Sequence, residues 1–151
     1  MNLFNPEIEG SHHTIGVKGD VGCERQCDIN SKTSIHERIT AVRGNDSFDV
    51  EIIKNDMPMM DKMLATWDLK DIGGGQTRAR ITMRFNTKPA IMGALMKGMM
   101  SKMIKRMVMG LKYHLETGNL VTKENIKSIV KEYKQLKGNQ GFSSKVAVTY
   151  A

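Results

Sequence analysis

Hydrophobic periodicity changes once along this chain, and the change divides it into two kinds of structure. Over Thr77–Phe85 the sequence alternates strictly, with Ala79, Ile81, Met83 and Phe85 on one side and Arg78, Arg80, Thr82 and Arg84 on the other. That is the pattern of a strand with one buried and one wetted face. Directly after Pro89 the period lengthens to between three and four. Met92, Leu95, Met96, Met99, Met103, Met107, Leu111 and Leu115 then form one stripe, which predicts a long helix over about 89–117. Pro89 suits a first helical turn, and Gly118 follows as a stop signal. Five strands are expected ahead of this helix, at 21–29, 32–42, 47–54, 62–71 and 76–86. Asn30-Ser31, Gly44-Asn45-Asp46 and Gly73-Gly74-Gly75 supply turns between them. Such short spacing, with no helix in between, implies an antiparallel meander.

The ends are less regular. Residues 1–20 read as loop because Asn5-Pro6, Gly10-Ser11, Gly16 and Gly19-Asp20 interrupt them. A second helix is expected over 123–137, with Thr122 as its N-cap and Ile126, Ile129, Val130, Tyr133 and Leu136 as its apolar stripe. Ser144–Tyr150 has strand character. The expectation is an α+β chain in which the long helix lies across the apolar face of the sheet.

Alternation also assigns sides. Val21, Cys23, Arg25 and Cys27 share one face of their strand, and Ile35, Glu37, Ile39 and Ala41 share one face of the next. Met63, Ala65 and Trp67 should face inward with Ala79, Ile81, Met83 and Phe85. Arg25 and Glu37 are then the two inward charges, costly to bury unless paired or hydrated. They either hold the polar group of a ligand at one end of an apolar cavity or simply pair with each other to support the sheet.

Composition narrows the classes. A chain of 151 residues suits one domain with one sizeable core, and its 40% hydrophobic and 26% charged residues are ordinary for a globular protein. The start, Met-Asn-Leu-Phe-Asn-Pro-Glu, lacks the basic patch and apolar run of a signal peptide. Lys97, Lys102, Lys105 and Arg106 interrupt the apolar run 90–111 in a way a membrane span rarely tolerates. A cytoplasmic location is expected. Cys23 and Cys27 are too few for a disulfide scaffold and, on one strand, would stand roughly 13 Å apart; they read as buried, small apolar residues. His12-His13 reads as solvated, and no Cys or His cluster has metal-ligand spacing, so neither a metal nor a cofactor is expected.

Charge is uneven. Residues 97–137 hold ten lysines and arginines against Glu116, Glu124 and Glu132, and so carry the whole net charge of +7. The bland reading is a solvated helix face. A membrane surface or an acidic partner is the alternative. With aromatic residues at only 5%, base stacking has little to work with, and nucleic-acid binding is not expected.

The order Asn5-Pro6-Glu7-Ile8, Val21-Gly22-Cys23-Glu24-Arg25, His36-Glu37-Arg38-Ile39, Ala65-Thr66-Trp67 and Gly74-Gly75-Gln76-Thr77-Arg78, closed by the long helix, resembles the START/Bet v 1-like (SRPBCC) superfamily. Within it the chain is most similar to bacterial polyketide cyclase/dehydrase and lipid-transport-like proteins. The resemblance spans about residues 4–117. It implies a helix-grip fold, a curved antiparallel sheet wrapped around a long C-terminal helix with an apolar cavity between them. It also implies two departures. Only three residues precede Phe4 where the family has a strand and two short helices; either the sequence is truncated, or segment 144–150 or a second copy of the chain covers the sheet edge. The helix at 123–137 lies beyond the usual fold, so 1–118 would be the ligand-binding domain and 119–151 an appended amphipathic helix and tail.

Glu37 matches a pocket glutamate of the superfamily's hormone receptors, and the resemblance turns Met96, Met99, Met103 and Met107 toward the cavity. The candidate ligand-binding set is therefore Arg25, Cys27, Glu37, Ile39, Met63, Trp67, Ile81, Met83 and those four methionines. Flexible, polarisable methionine suits a wall that adapts to varied apolar guests. Binding, sequestration or transport of a hydrophobic small molecule or lipid is the expected function. The alternatives are a cyclase-like enzyme using Glu37 and Arg25, and an interaction module using the basic helices. With no Ser/His/Asp order and no phosphate-binding loop, binding is expected rather than catalysis.

Overall fold

A computed structural model describes residues 1–57, 60–89, 91–139 and 147–148. Six strands run in chain order as an antiparallel meander: β1 (Gly10–Ile15), β2 (Glu24–Asn30), β3 (Thr33–Arg43), β4 (Ser47–Asn55), β5 (Met60–Asp71) and β6 (Thr77–Thr87). The long helix α1 (Met92–Thr117) and the shorter α2 (Ile126–Asn139) follow, and a short β7 (Ala147–Val148) lies parallel to β6, opposite Thr82 and Met83. The rest of the expected terminal strand, residues 144–146 and 149–150, lies outside the described residues.

Turn chemistry closes the hairpins. Between β5 and β6, Gly73, Gly74 and Gly75 all have positive φ, a conformation that side chains rarely adopt. The Gly73 N–H is held by the Asp71 carboxylate at 2.8 Å. Two corrections concern the first strands. The 21–29 strand begins only at Glu24, because Gly22 takes a left-handed turn and leaves Val21 exposed. Gly10–Ile15 is a strand rather than a loop; it sits at the edge of the sheet, paired with β2 alone. An edge strand with both faces wet has no need of alternation, so His12 and His13 are both exposed.

Two bulges in the β3–β4 pairing alter which side chains share a face. One leaves Ile53 as an extra residue between the pairs His36–Lys54 and Glu37–Ile52. The other falls between Ile39 and Ala41 and pairs Ala41 with Asp49. Asp49 pairs in turn with Thr66, and Thr66 with Thr82, on the outer face. Ala41 is thus outward rather than inward, and Val42 replaces it opposite Phe48. A one-residue bulge flips everything that follows.

The inner face of the sheet carries α1. Val50, Trp67 and Ile81 pack with Ile104 and Met107, with the Trp67 ring stacked on Phe48 at 5.8 Å. Alongside, Ile52, Met60, Met63 and Phe85 pack with Met100. The helix starts three residues later than Pro89. The Pro89 carbonyl instead accepts from the Met92 N–H (3.1 Å) and the Thr87 hydroxyl (3.2 Å), as a separate turn. At its far end Gly118, at φ 73°, returns its N–H to His114 O at 2.8 Å.

The second helix rests on the C-terminal half of the first. Val121, Ile126 and Ile129 are buried with Tyr113, Val130 and Tyr133 around them. Its start is a reciprocal cap: the Thr122 hydroxyl accepts from the N–H groups of Glu124 and Asn125, and the Asn125 side chain accepts from the Thr122 N–H at 2.8 Å. The helix passes through Gly138 to Asn139, beyond the expected end. Among the described residues no helix is long and apolar enough to cross a membrane.

The N-terminal segment is the last piece. Residues 1–9 cross α1 between the sheet and the α1–α2 connection, tied by Val121 N–H to Leu3 O (3.0 Å), Glu9 N–H to Asp28 O (2.7 Å) and ion pairs Glu7–Arg106 and Glu9–Lys123. The crossing is close. A methyl group at Gly110 would stand 2.1 Å from the Phe4 carbonyl oxygen, so only glycine fits this turn of α1.

Candidate functional site

A cavity of about 90 Å³ remains between the inner face of the sheet, α1 and the N-terminal segment. Strands β4 to β6 supply Val50, Ile52, Met63, Ala65, Trp67 and Met83; α1 supplies Met100, Met103, Ile104 and Met107; the N-terminal segment supplies Met1, Asn5, Glu7 and Ile8. Arg25 and Glu37 form its polar end.

That polar end follows from strand pairing. Arg25 and Glu37 are direct partners across β2 and β3, so both side chains leave the same face of the sheet. Arg25 Nε donates to Glu37 Oε2 at 2.5 Å, and Arg25 Nη2 reaches Met1 Sδ at 3.7 Å. Cys27 Sγ lies 3.8 Å from the same Glu37 oxygen and 3.5 Å from Ser11 Oγ. Burial opposes the Arg25 charge, but the Glu37 carboxylate outweighs it, and the guanidinium pKa rises above its ordinary value. Burial and the same carboxylate push the Cys27 thiol up, away from the thiolate. The Met1 amino group close by has a lowered pKa, from burial first and the Arg25 charge second.

Seven of the twelve sequence-predicted residues line the cavity: Arg25, Glu37, Met63, Trp67, Met83, Met103 and Met107. Cys27 is fully buried behind Glu37 rather than in the wall. Ile81 and Ile39 belong to the packed cluster around Trp67, and Met96 packs against the Met100 cluster. Met99 is a correction: it is 48% exposed and turned away from the sheet, while Met100 and Ile104 take the inward positions. The cause is helical phase. Each step of four residues advances about 40° round the helix, so a stripe built on such steps crosses the buried side only in its middle. Leu95 at one end and Leu115 at the other are 71% and 74% exposed.

Sequence reasoning also missed the N-terminal wall. Asn5, Pro6 and Ile8 are buried, yet Asn5-Pro6 reads locally as a turn. Their long-range partners on α1 leave no trace in the periodicity of residues 1–20.

Chemically the site offers an apolar space with an ion pair at one end, beside which the Cys27 thiol is held toward its protonated form. Among the described residues no three His, Cys, Asp or Glu side chains converge as metal ligands. No protein-family model matches this chain, and neither a curated protein nor a solved structure matches it.

Proposed function

We propose that the protein binds a hydrophobic small molecule between its sheet and α1, and sequesters or carries it rather than transforming it. In this reading the six-strand meander and α1 are the helix-grip arrangement of the START/Bet v 1-like superfamily, and β7 stands at the sheet edge where that fold normally has an N-terminal strand. The observation that carries the proposal is the cavity itself: apolar walls, one ion pair, and five methionines from α1 and the sheet in contact with the space. Small-molecule sites are typically apolar with a few polar anchors.

Volume limits the guest. Drug-sized ligands occupy pockets of roughly 300–1,000 Å³, so a space of about 90 Å³ admits a small molecule directly and an acyl chain only if methionines rotate away. The test is native mass spectrometry of the protein purified from cells under gentle conditions. A co-purified apolar small molecule, displaced when Ala65→Phe fills the cavity, supports the reading. Protein that stays ligand-free, and that no apolar compound stabilises against heat, refutes it.

A further inference from the structure

Resting on that reading, we propose that the guest is a neutral amphipathic molecule of about six to eight non-hydrogen atoms, with a group that both donates and accepts a hydrogen bond. A phenol is the model, and the Arg25–Glu37 pair recognises its hydroxyl.

Hydrogen-bond capacity decides what the polar end can hold. Glu37 is 6% exposed and lines the cavity. Its Oε2 is engaged by Arg25 and Cys27, whereas Oε1 has no hydrogen-bond partner among the described residues. Oε1 is not sealed in protein either, since the one fully enclosed side-chain oxygen or nitrogen without a partner among those residues is Asp49 Oδ1. Glu37 thus brings an open acceptor to the edge of an apolar space. Arg25 stands beside it with five N–H groups, of which Nε is held by Glu37 and one Nη2 hydrogen by the weak thioether acceptor of Met1.

Polarity and charge then select the partner. The pair is formally neutral, and the neighbouring Met1 amine is pushed toward its uncharged form. A hydroxyl or primary amide donates to Glu37 Oε1 and accepts from Arg25, so both vacancies are filled. A carboxylate only accepts; it would leave Oε1 unpaired and set a second negative charge against Glu37 in a poorly solvated place. An ammonium only donates, and Arg25 repels it. A purely apolar guest leaves Oε1 without a partner. Sites built around a hydroxyl reject analogues that lack it for this reason.

Size follows from volume. An engineered dry cavity of about 150 Å³ holds benzene, and this one is about 90 Å³ with flexible Met63, Met83, Met103 and Met107 in its wall. One ring with a short substituent is therefore the upper limit, and it enters only as those methionines rotate away.

Three probes built on one methylphenyl ring test this on the 151-residue chain: p-cresol, toluene and the slightly larger p-toluate, followed by the methionine methyl signals in NMR titrations. We expect p-cresol to bind about ten- to a hundredfold more tightly than either of the others. In Glu37→Gln the balance of charge is lost, and p-toluate should overtake p-cresol. The wild-type ranking decides the matter even if that variant does not fold. Toluene binding as tightly as p-cresol overturns the head-group inference while leaving a ligand-binding cavity in place. So does p-toluate binding first in the wild type. No methyl shift with any probe overturns the inference together with the binding reading it rests on.

Discussion

Gly110→Ala is the substitution for which local propensity and tertiary geometry give opposite signs. In an exposed helix interior, alanine is more stable than glycine by about 0.8–1 kcal/mol. At position 110, however, the new methyl would lie 2.1 Å from the Phe4 carbonyl oxygen and 3.2 Å from a Val121 methyl, against a floor of 3.0 Å for real Cβ contacts. The Phe4 backbone must retreat by about 0.9 Å, and it is not free to do so alone. Leu3 O holds the Val121 N–H at 3.0 Å, and Asn5 and Ile8 are buried on the other side. Overpacking costs about 1–3 kcal/mol, and a weakened backbone hydrogen bond adds about 1 kcal/mol. After the propensity gain is subtracted, Gly110→Ala should destabilise the protein by about 2 kcal/mol. Gly98 provides the control, since nothing lies within 4 Å of its would-be methyl and Gly98→Ala should stabilise by nearly 1 kcal/mol. With a midpoint shift of about 2–4 °C per kcal/mol for a chain of this size, calorimetry should place the two variants on opposite sides of the wild type, Gly110→Ala lower by roughly 4–8 °C. Equal stabilisation by both would refute the crossing of the N-terminal segment over α1.

Helical phase is tested by neighbours. Met100→Ala should cost about 2–5 kcal/mol and Met99→Ala less than about 0.5 kcal/mol in urea unfolding; similar costs would mean α1 is rotated from the position described. Acid sensitivity should trace to Asp49, whose carboxyl is held below its ordinary value of 3.8 chiefly by the hydrogen bond from Arg43. Its native pKa is the lower one, so its contribution is complete above 3.8 and disappears as pH falls through the native value. The stability advantage of wild type over Asp49→Asn, read from urea midpoints, should therefore shrink below about pH 3.8 and stay constant above about pH 5. An advantage that does not change with acid would exclude the Arg43 contact as its source.

How much of this was legible in the sequence depends on where each partner lies. β2 to β6 were readable because one face of each is buried, which imposes alternation over residues such as Met63-Ala65-Trp67 and Ile81-Met83-Phe85. The Arg25–Glu37 pairing could be read for the same reason, since two inward charges on adjacent strands have few other partners. β1 was hidden because an edge strand answers to hydrogen bonding rather than to burial. Ala41 was misplaced because a bulge is a backbone event with no composition of its own. Met99 was misplaced because spacing of four residues drifts round a helix, and only the docked sheet decides which part of the drift is buried. The N-terminal wall and the glycine beneath it depend on contacts more than one hundred residues apart in sequence, such as Glu9–Lys123, and no local pattern encodes them.

The layering of the molecule also makes it electrically lopsided. α1 lies on the inner face of the sheet and α2 on α1, and residues 97–137 carry all of the +7, while thirteen cations and thirteen anions cancel over the remainder. The protein is in effect a permanent dipole with its positive pole on the helical layer. In low salt, a negatively charged support should capture it in one orientation, helices down, with the outer face of the sheet left toward the solvent.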